Sequence, residues 1–533
     1  MSSSNPCEGI RTIKKTTMKI NKLSISGLAL GLLLGVSACD KDFEEINVNP
    51  NSPEAVSSAL LLPNVIRNTT NEIAGNAWGL GNLVMQYTAK IQFTNEDRYN
   101  WGPQGNPYNS FYGALRDINN IVELSGTANQ KNYVGVAKVM RAHLFAYMTD
   151  VYGEIPYSDA LQAKSGVNYP KFDSQEAVYK AVLVELEEAN AMLGTTSEKI
   201  EGDILFNGNV TLWKKFANSL RLRMLMRLSD RQNPAAALQA IVSNPTQSPI
   251  FATESEQAVL QYLADVPNQH PLFTTRSGSY DEIRLSENLE NALKDLNDPR
   301  LFAYAQPTTA SGAGVLGPIT AYDGVPNGLG DEEALKYAPS GDPSKGGSNF
   351  ISRVGLLWSC QACSSQANAT GYQAILMSYA EVQFILAEAR ERGFITVGTA
   401  EDYYKKGVQA SVNYYRARYT AINQPTIAAK LVVDDTYFAQ TKVSYTGTTQ
   451  EKLAKIGTQK WIALFFSGLE AWHDWKRTGF PTIKPGPAAF ISTVPVRFMY
   501  PSSVQSLNGE NYKAAIGRQG ADAITTRVWW DIK

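Results

Sequence analysis

The chain has 533 residues, enough for several domains at about 150 each, and its 49 basic against 50 acidic side chains offer no positive excess with which to displace nucleic-acid counterions. Charged residues are 19%, below the roughly 25% of an average soluble protein, while 26 Tyr, 19 Phe and 9 Trp describe a globular chain and exclude a disordered one. His143, His270 and His473 are the only histidines, and no two stand at the i, i+4 spacing that puts two imidazoles on one zinc ion.

The first strong signal is an address. Met18 is followed by Lys19 and Lys22, the run LSISGLALGLLLGV from Leu23 to Val36, and then Ser37, Ala38 and Cys39, the three regions of a signal peptide. Fourteen residues at 1.5 Å each reach about 21 Å, short of the roughly 30 Å hydrocarbon core. The run therefore predicts export, not a membrane span. Ala38 followed by Cys39 resembles a bacterial lipobox, which makes Cys39 the expected lipidation site and several acyl chains the anchor. Residues 1 to 17 read as an upstream extension, since the charged start of the signal is already at Met18. Residues 1 to 38 contain five bases and one acid, so their removal leaves a mildly acidic chain, and Asp40, Lys41, Asp42, Glu44 and Glu45 follow as a charged tether.

Helical stripes come next. They are expected over about 55 to 73, 78 to 92 and 108 to 124, then over 131 to 151, where Val134, Ala137, Met140, Leu144, Tyr147 and Val151 recur at three- and four-residue steps before Gly153 and Pro156. Asp173 with Glu176 suggests a capping box ahead of Val178, Val182, Leu186, Ala189 and Leu193. Further stripes fall at roughly 211 to 229, 375 to 391, 401 to 416 and 451 to 473. The expected fold is mostly α: a tetratricopeptide-like scaffold of helical hairpins with long irregular loop insertions that form the ligand face. After residues 1 to 38, residues 39 to 533 are expected to form a single domain. Its scaffold lies at about 50 to 244, 374 to 417 and 451 to 477, its loop-rich ligand-binding region at about 245 to 373 and 418 to 450, and its closing segment at 478 to 533.

A protein that holds a polar ligand without catalysis uses aromatic faces for stacking and amides for orientation. Candidates for ligand binding are Trp78, Tyr99, Trp101 and Tyr108 near the start, and Tyr322, Asn327, Arg353 and Trp358 in the middle, with Trp358 foremost. Each aromatic also reads as a buried loop anchor. Cys360 and Cys363 are open to three readings, a local disulfide stiffening the Trp358 loop, free thiols, or a redox pair. Asp323, Asp331 and Glu332 could be read as a glycosidase acid pair or a calcium loop, but the EF-hand order is missing, so no metal, cofactor or catalytic residue is expected. His143 reads as a packed helix residue, and Arg221, Arg223 and Arg227 as a solvated or salt-bridged helix face.

Four segments together resemble the SusD/RagB-like outer-membrane nutrient-binding lipoproteins of Bacteroidetes. They are the lipobox at Cys39; Arg141, Ala142 and His143 through Asp150, Val151, Tyr152, Gly153, Glu154, Ile155, Pro156 and Tyr157; Ala463 through Glu470 and on through Asp474, Trp475, Lys476, Arg477, Thr478 and Gly479; and Pro495, Val496, Arg497, Phe498, Met499, Tyr500 and Pro501. The tail departs from the commoner wording at Val504 and Gln505. The resemblance implies a tetratricopeptide-like scaffold, a loop-built ligand face, no catalysis, and a lid-like partnership with a SusC-like TonB-dependent transporter. The expected function is capture of oligosaccharides, or alternatively oligopeptides, at the outer face of the outer membrane, with a surface hydrolase or an adhesive protein as the lesser readings and no nucleic-acid partner. The resemblance assigns no binding residue, so the aromatic candidates rest on the sequence alone.

Overall fold

The computed structural model describes residues 56–265, 267–274, 282–308, 316–338, 351–358 and 373–533. Cys39, Cys360 and Cys363, and with them the lipidation and disulfide expectations, lie outside the described residues. From Ser57 to Lys533 the chain forms one compact unit that is mostly helical. Its principal elements are α1 (Ser58–Asn76), β1 (Thr88–Lys90), α2 (Asn106–Thr127), α3 (Lys131–Tyr152), α4 (Gln175–Met192), α5 (Val210–Arg227), α6 (Ala235–Val242), β2 (Ala258–Gln261), β3 (Ile283–Leu285), α7 (Glu287–Asp295), β4 (Gln373–Met377), α8 (Tyr379–Glu391), α9 (Ala400–Ala421), α10 (Thr449–Ala463), α11 (Glu470–Thr478) and α12 (Gly509–Gln519). Successive helices pack on one another from α1 to α5, and α8, α9 and α10 form a second stack that reaches α5 through α8. Two short antiparallel ribbons, β1 with β3 and β2 with β4, tie the middle of the chain to these stacks. Among the described residues no helix is long and apolar enough to cross a membrane.

The helix at 131 to 151 is buried far more completely than one stripe requires. Nearly every residue of α3 from Asn132 to Tyr152 is inaccessible, the condition of a helix surrounded by protein. The capping box expected at Asp173 is displaced by one residue. Ser174 caps α4 by accepting from the Ala177 amide at 3.2 Å, while Asp173 accepts from the amides of Tyr157 and Ser158 at 2.9 and 2.8 Å.

Of the two readings of the arginine face, the salt-bridged one holds: Arg221 pairs with Glu187, while Arg223 and Arg227, 9% and 3% exposed, lie in the centre of a buried ionic network. Arg223 forks onto Glu381 of α8 with two 2.6 Å bonds, and Arg227 bridges to Glu470 of α11 at 2.5 Å and to Asp150 of α3 at 3.4 Å. Arg477 forks onto Glu388 at 2.5 and 2.6 Å and reaches Asp474, which also binds Lys460 at 2.7 Å. His143, as expected, is a packed residue, with burial pushing its imidazole pKa down to about 3.

The three described segments that carry the resemblance converge here. The indole of Trp472 donates to the Pro495 carbonyl at 2.8 Å, the Phe498 amide to Val151 at 3.0 Å, and the Tyr500 hydroxyl to Glu154 at 2.5 Å. They build the scaffold. The floor of the site described next is joined to it by one close approach, since a side chain at Gly81 would place its first carbon 2.3 Å from the Gly468 carbonyl.

Candidate functional site

Two polar stripes face a cavity of about 960 Å³. On α1, Asn68, Asn71, Glu72, Gly75 and Asn76 recur at the three- and four-residue spacing of one helix face. On α2, Asn106, Asn109, Ser110 and Gly113 do the same. Between them α1 runs on into a π-helical turn, Ala77–Gly81, a wider winding frequent at functional sites, which turns Trp78 and Gly79 towards the cavity. The loop before α2 closes the site with Glu96, Asn100, Trp101 and Gln104, and Glu282 and Ile283 complete it beside Lys90.

Of the four charged residues that line the cavity, Glu72, Lys90, Glu96 and Glu282, the first three are engaged with neighbours. Lys90 pairs with Glu96 at 2.8 Å. Burial pushes the Glu72 carboxyl up, opposed by hydrogen bonds from Ser110 and Asn76. What remains facing the space is rich in amides, which donate and accept, together with indole surface. That set suits an uncharged polyhydroxylated ligand with alternating polar edges and C–H faces.

The structure separates the candidate residues by role. Trp78 and Trp101 both line the cavity. Trp78 is half-buried and leans on Phe466 with ring centres 5.8 Å apart. Trp101 is held by its indole N–H, which donates to the Glu96 carbonyl at 2.9 Å, and by edge contacts to Trp472 and Phe498. Tyr108 points instead into a neighbouring groove beside Tyr112.

Trp358 lies in the core. It is 7% exposed, stacks flat on Phe466 at 4.6 Å and meets Phe465 edge-on at 4.9 Å. It thus stands behind the ring that supports Trp78, and the loop-anchor reading describes it. Tyr322 is also buried, edge-on to Phe302, and Arg353 is half-buried with its carbonyl accepting from Gln306; neither lines the cavity. The cavity draws little on the region expected to bind ligand. Most of its lining belongs to α1, α2 and the loop between β1 and α2, with Glu282 and Ile283 the contribution of the 245 to 373 region.

Tyr99 and Asn327 secure that loop from beneath. Tyr99 is buried, holds a left-handed backbone (φ 64°) and packs edge-on against Trp101. Asn327 donates to Asp97 at 2.7 Å and to the Thr88 carbonyl at 2.8 Å, and accepts from Ser286 at 2.5 Å, so its amide is committed to the scaffold. Asp331, one of the acids considered at the sequence level, accepts from the Thr94 amide and hydroxyl at 2.8 and 3.0 Å. Neither it, Asp323 nor Glu332 lines the cavity.

Asp97 is the buried acid of this support. Desolvation pushes its carboxyl up to about 6, against hydrogen bonds from Asn327, Gly328 and Lys90. The folded protein therefore holds this proton more tightly than the unfolded chain, and the stability it contributes at low pH is lost as pH rises from about 4 to 6. An Asp97→Asn variant cannot titrate. Its urea stability relative to wild type is expected to rise across that window by up to about 3 kcal/mol; a difference that stays flat with pH would show that Asp97 titrates normally.

The comparisons extend this picture to known proteins. Residues 50–501 match the SusD-like_2 family model, described as "Starch-binding associating with outer membrane". A SusD homologue from Bacteroides fragilis is 28% identical with a TM-score of 0.75, over 90% of this chain and 100% of that one. A chitin-binding protein is 26% identical with a TM-score of 0.71, again over 90% and 100%. A chitin-binding SusD homologue from Flavobacterium johnsoniae, at 22% identity and a TM-score of 0.68 over 88% and 99%, shares the fold. No curated protein matches the chain. With the family model spanning most of its length and homologous structures covered end to end, the chain belongs to the SusD-like family of outer-membrane-associated proteins.

Proposed function

We propose that this protein is a non-enzymatic surface lipoprotein, anchored through Cys39 to the outside of the outer membrane, that captures oligosaccharides and passes them to a SusC-like TonB-dependent transporter. The observation that carries the reading is the pair of facing amide stripes on α1 and α2, closed by Trp78 and Trp101. Amides on two opposed walls can satisfy hydroxyls on both edges of a sugar ring, while an indole covers its C–H face. The starch-binding description of the family and the chitin-binding description of a relative with 26% identity favour saccharide over peptide. Capture without turnover is consistent with Lys90, Glu96 and Glu72 being tied to partners in the cavity wall.

The test is isothermal titration of the purified mature protein with malto- and chito-oligosaccharides and with a mixed oligopeptide pool. Saccharide heat is expected, weakened roughly 30-fold or more by Trp78→Ala, the usual cost of truncating a central aromatic contact. Heat from peptides alone would transfer the same cavity to the other ligand class. Recovery of a TonB-dependent barrel with the protein from solubilised outer membranes tests the delivery step, and failure to recover one would remove that part of the proposal.

A further inference from the structure

The cavity does not end at α2. A groove of about 310 Å³ continues across this helix, walled by Tyr108, Tyr112, Pro156, Leu161 and Pro170. The cavity and groove share two residues, Asn109 and Gly113. On the helical wheel, Asn109 and Gly113 are the border between the polar stripe 106, 109, 110, 113 and the stripe of Tyr108, Tyr112 and Arg116. Gly113 leaves the border low: a first side-chain carbon there would meet only the Arg116 guanidinium, at 3.9 Å.

The groove is built for contact with something outside the fold. Tyr108 and Tyr112 lean together with ring centres 4.7 Å apart, and the Tyr112 hydroxyl is spent on the Pro156 carbonyl at 2.5 Å, which fixes its ring. Leu161 forms the opposite wall from a left-handed backbone (φ 63°), a conformation that costs energy for a leucine and needs its surroundings to hold it. Tyr169, next to Pro170, is 69% exposed. Arg116 is exposed and is the single charged residue lining the groove.

We infer that the groove is a second subsite for the same ligand, so that the protein selects linear chains that lie in the cavity, cross α2 at Gly113, and stack their distal unit on Tyr108 and Tyr112 with an oxygen accepting from Arg116. This rests on the proposed saccharide reading of the cavity. The occupant is argued from adjacency: Asn109 and Gly113 line both spaces, so a chain that crosses α2 at this border passes from one to the other. The polar cavity supplies orientation and the aromatic groove supplies preference for length.

A chain-length comparison tests this. The mature protein is titrated with chitobiose and chitohexaose, and in parallel with maltose and maltohexaose. The hexasaccharide of the series that binds is expected to bind at least about tenfold tighter than its disaccharide. In the Arg116→Ala, Leu161→Gly double variant the disaccharide affinity is expected to be unchanged and the ratio to fall below about threefold. Glycine suits the backbone at 161 and Arg116 is exposed, so folding is preserved; circular dichroism confirms it. Equal affinity for short and long chains in the wild type, or a ratio untouched by the double variant, overturns the second subsite and leaves the cavity reading standing. Silence from all four sugars overturns both.

Discussion

Placing phenylalanine at Gly79 is expected to abolish saccharide binding while leaving the melting temperature within a degree or two of wild type. Gly79 sits on the π-helical turn beside Trp78, exposed to the cavity, and an added side chain there meets no atom within 4 Å. The benzyl group grows into space that a ligand would otherwise fill. Loss of at least about 100-fold in affinity, or roughly 2.7 kcal/mol, is the anticipated size. Gly79→Ala supplies the control, since a methyl group removes little volume. If Gly79→Phe binds sugars as tightly as wild type, the ligand sits elsewhere, whatever the chemistry of the amide stripes suggests.

Replacing Arg477 by methionine is expected to cost about 3–5 kcal/mol of folding stability, the penalty of leaving buried carboxylates without their counter-charge. Arg477 is 4% exposed and binds Glu388 through two nitrogens and Asp474 through one. Lys460 remains to serve Asp474, whereas Glu388 loses its two-nitrogen fork and keeps only the longer 3.2 Å pair with the half-buried Arg392, so Glu388 carries most of the penalty. The second change, Glu388→Leu, is then expected to restore much of the loss, because an apolar pair of similar volume replaces an ion pair at little net cost. Urea unfolding of the two single variants and the double variant measures this; additive losses in the double variant would show that the two side chains are not energetically coupled.

Much of the scaffold was legible in the sequence because apolar periodicity reports burial. The stripe at 131 to 151 became α3, that at 375 to 391 became α8 from Tyr379 onward with its first residues in strand β4, and the compact motif around Asp474 and Arg477 marked the place where helices meet. The ionic network escaped the same reading. Arg223 and Arg227 read equally as solvated or salt-bridged until their partners are known, and those partners, Glu381 and Glu470, lie more than a hundred residues away in the chain. Long-range charge pairing leaves no local pattern.

The cavity was legible only in part. Trp78 and Trp101 were named for their aromatic faces, and they line it. Trp358 was named for the same reason and fills the core, because a tryptophan's size suits either setting and only its neighbours Phe465 and Phe466 decide. Asn106 stands in the aromatic and amide run before α2, but Asn68, Asn71, Asn76 and Asn109 do not stand out singly, although with Glu72, Gly75 and Ser110 they follow the helical repeat. A search for polar periodicity, which a buried ligand surface on a helix produces just as a core produces apolar periodicity, would have found them.

The contact of Gly81 with the Gly468 carbonyl has a bearing on how such proteins diversify. It clamps the turn carrying Trp78 and Gly79 to the segment that leads into α11, so the bottom of the binding space inherits the rigidity of the interior. Adaptation to a new nutrient cannot readily proceed by moving that surface. It can proceed at Asn95, Asn100, Gly102 and Pro103, which are exposed on the loop before α2 and bear little of the packing load. A lineage could exchange its diet by rewriting this short rim, keeping the invested stability of the helical body and paying no conformational entropy to reshape the site each time a ligand arrives.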